Sequence, residues 1–394
     1  MPTAAILCSA GHKINGVDIN KNLVKDLRNG LIHISEPDLH DLVKDSLKSN
    51  KLIISNKPIS ADIHFITVPT PLLNLDQKSL KADLSNVINA AKAIANILKK
   101  NDLIILESTC PVGTTIKISE IVSKESGISR EDFHIVYCPE RVLPGNIINE
   151  IKSNNRVIGA DSEKAKELAV NFFSSFSNGA LMTTDSKTAE LIKLSENAYR
   201  DLNIAFANEL SMICDQFNIN TQQLINIANQ HPRVNILKPG IGVGGHCIAV
   251  DPWFIISELP EQTELIKKAR QVNLKKTHWV LSKIKKTIRN FENRNKNKKV
   301  FTYGFFGITF KPDVDDTRES PALWIINQLI ASKINLLVYD PNVSQSKIDI
   351  KISPYEEVLE KSDLNFILVG HKEFKYSNKI NENIIDICNL IKDD

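Results

Sequence analysis

Residues 103–114 read LIILESTCPVGT. Leu103–Glu107 is a short run rich in isoleucine and leucine, the pattern of a strand buried on both faces. The loop after it, Glu107–Thr114, then falls where open α/β sheets hold ligands, at the carboxyl ends of strands. Working outward, Ile14–Ile19, Ile63–Val68 and His134–Tyr137 read as strands of the same kind. Leu84–Leu98 reads as a helix with Asp83 as its candidate N-cap. Strands alternating with helices imply a parallel sheet covered on both faces. Val157–Gly159 and Leu181–Thr184 extend that sheet.

From Ser186 to Lys286 the pattern turns helical, and Thr188–Phe217 contains neither Gly nor Pro. A helix that long suits a domain connection or a subunit interface. Arg289–Lys299 (RNFENRNKNKK) reads as a solvated connection. A second alternating unit begins at Val300. Phe301–Phe306, Leu336–Tyr339, Leu364–Val369 and Ile384–Ile387 read as its strands, and Ala322–Ala331 as a helix between them. The expected architecture is α/β: two doubly wound units joined by a helical region. The boundaries fall at 1–185, 186–290 and 300–394.

The chain has 394 residues, with 42% apolar and 24% charged side chains and a net charge of +3. That is the profile of a globular protein, and the small charge gives no argument for nucleic acid or membrane surfaces. Six cysteines, none in a C-x-x-C pair, suggest neither a zinc knuckle nor a redox pair and fit a reducing cytoplasm. No signal peptide and no apolar run of membrane-spanning length stands out, so a cytoplasmic protein is expected.

Ile14–Asn20 (INGVDIN) ends a strand with Asp18. In a dinucleotide-binding sheet such an acid bonds the adenosine ribose and favours NAD over NADP. A glycine-rich phosphate loop is expected roughly 20 residues before it. The chain instead opens on Met1–Ala5, which reads as the helix after such a loop. The expectation is therefore an NAD-binding sheet without its first strand and glycine loop. Either the given start is downstream of the true one, or the product has decayed and holds NAD poorly.

The most reactive-looking segment is Gly242–Phe254 (GVGGHCIAVDPWF). Glycines let backbone approach a ligand closely. Cys247 in such a loop is a candidate nucleophile if its thiolate is stabilised, and Asp251, four residues on, a candidate for holding water. A tight turn around an inert buried cysteine is the alternative.

Several segments together resemble the UDP-sugar 6-dehydrogenase family. They are Gly16–Asn20, Ile32–Leu39, Val68–Pro71, Glu107–Gly113, Tyr137–Gly145, Ala189–Asn208, His231–Gly240, Gly242–Phe254 and Gly307–Pro321 (GITFKPDVDDTRESP). The resemblance implies an NAD-dependent, four-electron oxidation of a sugar C6 alcohol to a carboxylate. It implies an NAD-binding domain, a dimer-forming middle and a UDP-binding domain. It makes Cys247 the covalent nucleophile, and Lys193 with Asn197 the pair that stabilises an oxyanion and positions water. Asp251 becomes the acid that activates the hydrolytic water, Glu140 a proton-transfer carboxylate, and Thr109 a group near the nicotinamide. Asp18, Val68, Pro69, Thr70, Thr109 and Arg318 are implied for NAD. Glu140, Arg141, Val142, Lys193, Asn197, Arg233, Asn235, Gly244, His246 and Lys311 are implied for the substrate. Asp340 is a candidate for ribose or a turn cap. No metal is implied. Val250 and Pro144 stand where the UDP-glucose branch commonly carries a lysine and a second acid. Both fit the N-acetylhexosamine branch. UDP-N-acetylglucosamine or UDP-glucose as the substrate, and an inactive remnant without the NAD phosphate-binding loop, remain the alternatives.

Overall fold

The computed structural model describes residues 1–32, 36–74, 80–143, 145–375 and 384–387. Pro144, Cys388 and residues 33–35 of the Ile32–Leu39 segment lie outside the described residues. The chain divides into two compact units, Met1–Ser195 and Glu196–Asp394.

The first unit runs α1 (Pro2–Ser9), β1 (Ile14–Val17), α2 (Lys21–Arg28), α3 (Leu39–Lys48), β2 (Leu52–Ser55), β3 (Ile63–Ile66), β4 (Leu72–Asn74), β5 (Leu80–Ala82) and α4 (Ser85–Ala95). It continues with β6 (Leu103–Leu106), α5 (Thr114–Ser126), β7 (His134–Tyr137), α6 (Ile147–Ser153), β8 (Arg156–Gly159), α7 (Glu163–Ser174) and β9 (Leu181–Thr184), and enters α8 (Ser186–Phe217). The main sheet has the order β3-β6-β7-β8-β9. All four residues of β6 are buried, and they alternate between two cores as a strand's period requires. Ile104 and Leu106 pack with Val87, Ala91 and Ile94 of α4 and with Ile118 and Val122 of α5. Leu103 and Ile105 pack on the other side with Ala165, Ala169, Phe172 and Phe173 of α7. β1 and β2 pair in parallel as a separate sheet, with Leu52 and Ile54 packed on Ile6, Val24, Leu39 and Val43.

Four details depart from the sequence reading. β8 meets β7 antiparallel, so the sheet is mixed. The segment between them returns through the seven-residue α6 and needs no crossover, which only parallel neighbours require. α4 starts at Ser85 with Leu84 at its cap position, although Asp83 still accepts the Ser85 N–H at 2.9 Å. β2 and the β4–β5 hairpin were not expected.

The fourth departure lies in the second unit. Beyond α8 this unit runs α9 (Thr221–Ala228), α10 (Asp251–Glu258), α11 (Glu264–Arg294), β10 (Tyr303–Phe306), α12 (Pro321–Ala331) and β11 (Leu336–Tyr339). A short 3-10 turn at Gln345–Lys347 leads to α13 (Tyr355–Lys361), β12 (Leu364–Ile367), α14 (Lys372–Lys375) and β13 (Ile384–Asp386). α11 runs through residues 289–294, expected as loop. Phe291 packs on the core there, and Glu292 accepts the Tyr303 hydroxyl at 2.9 Å. A long helix propagates cheaply once such contacts exist.

The second sheet is all parallel, in the order β11-β10-β12-β13. The chain leaves β10 toward β11 and returns to β12 on its other side, so the strand order reverses between β10 and β12. In open α/β sheets that reversal opens a crevice at the carboxyl ends. One face of the sheet packs on Val280, Ile284 and Ile288 of α11 and on Ile325, Ile326 and Leu329 of α12.

α8 and α11 are joined by a buried polar seam. Arg270 donates to Asp201 at 2.6 Å, Asn273 donates to the same carboxylate at 2.7 Å, and Asn208 donates to Asn273 at 2.8 Å. Buried groups of this kind are costly unless partnered, so the seam selects one register of the helix pair.

Candidate active site

Cys247 sits, partly exposed, in the glycine loop just before α10. Its carbonyl accepts the N–H groups of Val250 at 3.0 Å and Asp251 at 2.8 Å, which turns the chain into that helix. Asp251 is 3% exposed and accepts Asn197 Nδ2 at 2.6 Å. A thiol, a carboxylate and an amide from α8 are thus tied to one turn. The glycines are required by space. A Cβ on Gly244 would lie 2.4 Å from the Glu319 carbonyl, and one on Gly245, whose φ is +81°, would lie 2.8 Å from the Phe310 ring. The loop therefore rests on the residues 310–319 turn, and Gly245 N–H donates to the Arg318 carbonyl at 3.1 Å.

That turn carries Arg318 and Lys311. Asp316 receives Arg318 Nε at 2.9 Å and Nη2 at 2.6 Å, a forked pair that fixes the guanidinium plane. The Asp316 hydrogen bond and charge raise the guanidinium's proton affinity against burial, and the neighbouring Cys247 adds to this. His246 is exposed, its Nδ1 3.7 Å from Asp316. Lys311 is half-buried, its ammonium 5.8 Å from the Phe310 ring centre. Arg233 and Asn235 are exposed on the segment after α9.

Asp340 closes β11, 3% exposed, and receives Ile308 N–H at 2.7 Å and Asn342 N–H at 2.9 Å. Burial pushes its carboxyl up. The His371 hydrogen bond, with those amides, outweighs burial and holds it below the usual carboxylate range. Asp340 is a turn cap in this fold.

In the first unit the loops after β3 and β6 are bound together. Thr70 Oγ1 donates to the Thr109 carbonyl at 2.7 Å, Ser108 Oγ to the Val68 carbonyl at 2.7 Å, and Asn86 Nδ2 to the Pro69 carbonyl at 3.0 Å. The start of α5 receives a carboxylate: the fully buried Glu190 accepts Gly113 N–H at 2.5 Å and both Thr115 N–H and Oγ1 at 2.7 Å. Helix N-terminal amides favour a negative partner. Asp18 follows β1 and accepts the Asn20 N–H at 2.8 Å, opening α2.

Glu140 follows β7. Its backbone carbonyl accepts Lys193 Nζ at 2.8 Å, so the α8 ammonium lies at that strand end. Its carboxylate pairs with Arg156 at 3.4 Å. Arg156 is 3% exposed and lies over the Phe173 and Phe176 rings. Arg141 reaches back to the Asn155 carbonyl at 3.3 Å, and Val142 packs in the core beside β1 and β2. Glu107, after β6, has a buried Oε2 without a hydrogen-bond partner. Burial first, then the Glu140 charge, push its carboxyl up to about 7. Burial also pushes the neighbouring Cys138 thiol up to about 12, which makes it inert.

Glu107, Glu190, Arg156 and His371 were not singled out from sequence. Glu107 and His371 each follow a buried strand, and that position was the available signal. An isolated Glu190 within a helix carried none.

Lys193 and Asn197 are four residues apart in α8. Cofactor-type loops at strand ends, a glycine-held cysteine and a second nucleotide-type sheet describe an oxidoreductase acting on a nucleotide-linked substrate. Comparison with known proteins agrees. The chain matches the UDP-glucose/GDP-mannose dehydrogenase family along its length. Residues 1–177 match its NAD binding domain, 187–275 its central domain and 304–393 its UDP binding domain. The UDP-N-acetyl-D-mannosamine dehydrogenase of Campylobacter jejuni is 44% identical, over 95% of this chain and 93% of the relative. An NDP-N-acetyl-D-galactosaminuronic acid dehydrogenase of Ralstonia nicotianae is 42% identical, over 95% and 89%. The solved UDP-D-ManNAc dehydrogenase of Pyrococcus horikoshii superposes with a TM-score of 0.91 at 35% identity, covering 100% of this chain and 94% of that one.

The chain belongs to the UDP-glucose/GDP-mannose dehydrogenase family. It is an NAD-dependent UDP-sugar dehydrogenase. No helix among the described residues is long and apolar enough to cross a membrane, and no cluster there suits a metal ion.

Proposed function

We propose that the chain oxidises UDP-N-acetyl-D-mannosamine at C6 to UDP-N-acetyl-D-mannosaminuronate, with Cys247 as covalent nucleophile. The observation that carries this reading is the turn in which Asn197 holds Asp251 and the Asp251 amide is bonded to Cys247. The mannosamine relatives in Campylobacter jejuni and Pyrococcus horikoshii support the choice of sugar. In balance, one primary alcohol, one water and two NAD+ give one carboxylate, two NADH and three protons. NAD+, when bound, takes up the hydride in both oxidations. Asp18, Val68, Pro69, Thr70, Thr109 and Arg318 would hold it. The mutual hydrogen bonds of the Thr70, Val68 and Thr109 loops fit a dinucleotide laid along the strand ends.

In this reading the first oxidation yields an aldehyde. Cys247 Sγ adds to it, forming a thiohemiacetal whose oxyanion Lys193 and Asn197 stabilise. The second oxidation gives a thioester. Asp251 then orients and deprotonates the water that cleaves it, and Sγ leaves as thiolate. Glu140 and Thr109 position water, and Glu140 moves a proton. Arg141, Val142, Arg233, Asn235, Gly244, His246 and Lys311 serve the substrate, with Lys311 on the pyrophosphate. The three-part division at 1–185, 186–290 and 300–394 belongs to the same reading, as does a cytoplasmic supply of nucleotide sugar and NAD. The product suits surface-polysaccharide synthesis of the enterobacterial common antigen type.

The enzyme works as a homodimer in this reading. Tyr199, Phe206 and Phe217 on α8 are 70%, 56% and 70% exposed, an apolar stripe that a second copy would cover.

Calorimetric NAD+ titration tests the residues assigned to the cofactor: Asp18→Ala should weaken binding at least about tenfold, and unchanged binding would overturn that assignment. Cys247→Ser should lower carboxylate formation on the order of 10³-fold or more. Full turnover by this variant would exclude the covalent route. A higher kcat/KM for UDP-N-acetylglucosamine or UDP-glucose than for the mannosamine substrate would overturn the substrate.

A further inference from the structure

We infer that His371 is a positioning residue for the nucleotide site of the second unit. It holds the Thr309–Asp313 turn, which carries Lys311, in the form that receives a nucleoside diphosphate. The inference rests on the proposed role of Lys311 and adds the group that sets it.

The turn follows β10, and His371 follows β12. They flank the reversal in strand order where a parallel sheet takes its ligand. His371 is 1% exposed, and both of its ring nitrogens are engaged. Nδ1 accepts the Asp313 backbone N–H at 3.0 Å and lies 3.0 Å from Asn342 Nδ2. A backbone N–H can only donate, so Nδ1 carries a lone pair and the proton of the neutral ring is on Nε2. Nε2 faces Asp340 Oδ2 at 3.2 Å, and that same oxygen receives Ile308 N–H. One imidazole therefore ties together the ends of β10, β11 and β12.

The turn needs such a tie. Asp313 has a φ of 60°, a left-handed conformation that L side chains rarely adopt. Its amide is held by His371, and its carboxylate accepts Lys372 N–H at 3.0 Å. Thr309 Oγ1 donates to the Lys311 carbonyl at 2.9 Å and lies 3.4 Å from His371 Nε2. Contact then runs on through the Phe310 ring, which faces Gly245 beside the Cys247 loop. A histidine that merely filled the core would not need its tautomer matched to a backbone amide and a carboxylate on two different loops.

The test uses the full chain and UDP. His371→Asn places an amide oxygen near the position of Nδ1 and keeps the acceptor for Asp313. His371→Gln places its polar end near Nε2 and loses that acceptor. Calorimetry should show UDP affinity within about threefold of the parent for Asn and at least about tenfold weaker for Gln. Turnover should show the Gln change in KM with kcat held within about threefold. Should the Gln variant fail to fold, Thr309→Val cuts the same turn and should weaken UDP about fivefold. A folded Gln or Val variant that binds UDP like the parent overturns this inference alone. A parent chain that does not bind UDP overturns the proposed function and this inference with it.

Discussion

The strand ends of the two α/β units are built on opposite principles. After β10, β11 and β12, acids and donors are matched: Asp340 is buried among amides and His371, and its carboxyl stays ionised. After β6 and β7 they are mismatched. Glu107 keeps a buried oxygen without a partner beside a second acid, Glu140, and Arg156 is the nearby cation. A satisfied network holds backbone still, which suits binding a nucleotide. An unsatisfied one raises a carboxyl's proton affinity toward neutral pH, as at Glu107.

The contrast can be broken by substitution. Asp340→Asn should be the most damaging, because one oxygen facing N–H donors becomes an NH2 group. A loss of about 3 kcal/mol in urea unfolding is expected, and a loss below about 1 kcal/mol would mean the network is not what holds the second unit. Arg156→Met should cost about 2 kcal/mol, since it leaves Glu107 and Glu140 without their cation while keeping the apolar cover on Phe173. It should also raise the proton affinity of Glu107, read by carboxyl titration in infrared spectra.

The smallest effect is in pH dependence, and its sign differs between the units. Glu107 binds its proton more tightly in the folded chain, from an ordinary 4.5 to about 7. Its contribution is present below pH 4.5 and is lost as pH rises through 7. Asp340 is held below its ordinary 3.8, so its contribution is present above that value and is lost as pH falls through the lower folded value. Hydrogen exchange resolved by unit should show the first unit loosening between pH 5 and 8, and the second only in acid. Glu107→Gln should flatten the first profile and leave the second unchanged. An unaltered first profile would show that Glu107 does not hold this proton.

Much of this fold was legible because short apolar or β-branched runs mark strands: His134–Tyr137, Leu181–Thr184 and Leu336–Tyr339 appear as read, although none is buried throughout. β2 was hidden because Ile53 on this strand faces outward and polar residues flank it, and β4 and β5 are three residues each. The end of α11 was hidden because polar residues 289–294 draw their order from Phe291 packing and the Glu292–Tyr303 bond. At the site, Cys247 and Asp251 stood in one segment and could be read together. The bonds Asn197–Asp251, Glu190–Thr115 and His371–Asp340 join residues 54, 75 and 31 positions apart, and no local pattern announces them.

The most direct test counts NADH formed per UDP-N-acetylmannosamine consumed, with the product identified by mass spectrometry. The Cys247 mechanism predicts two NADH and one uronate for each sugar, with no free aldehyde. One NADH per sugar with an aldehyde released would contradict it.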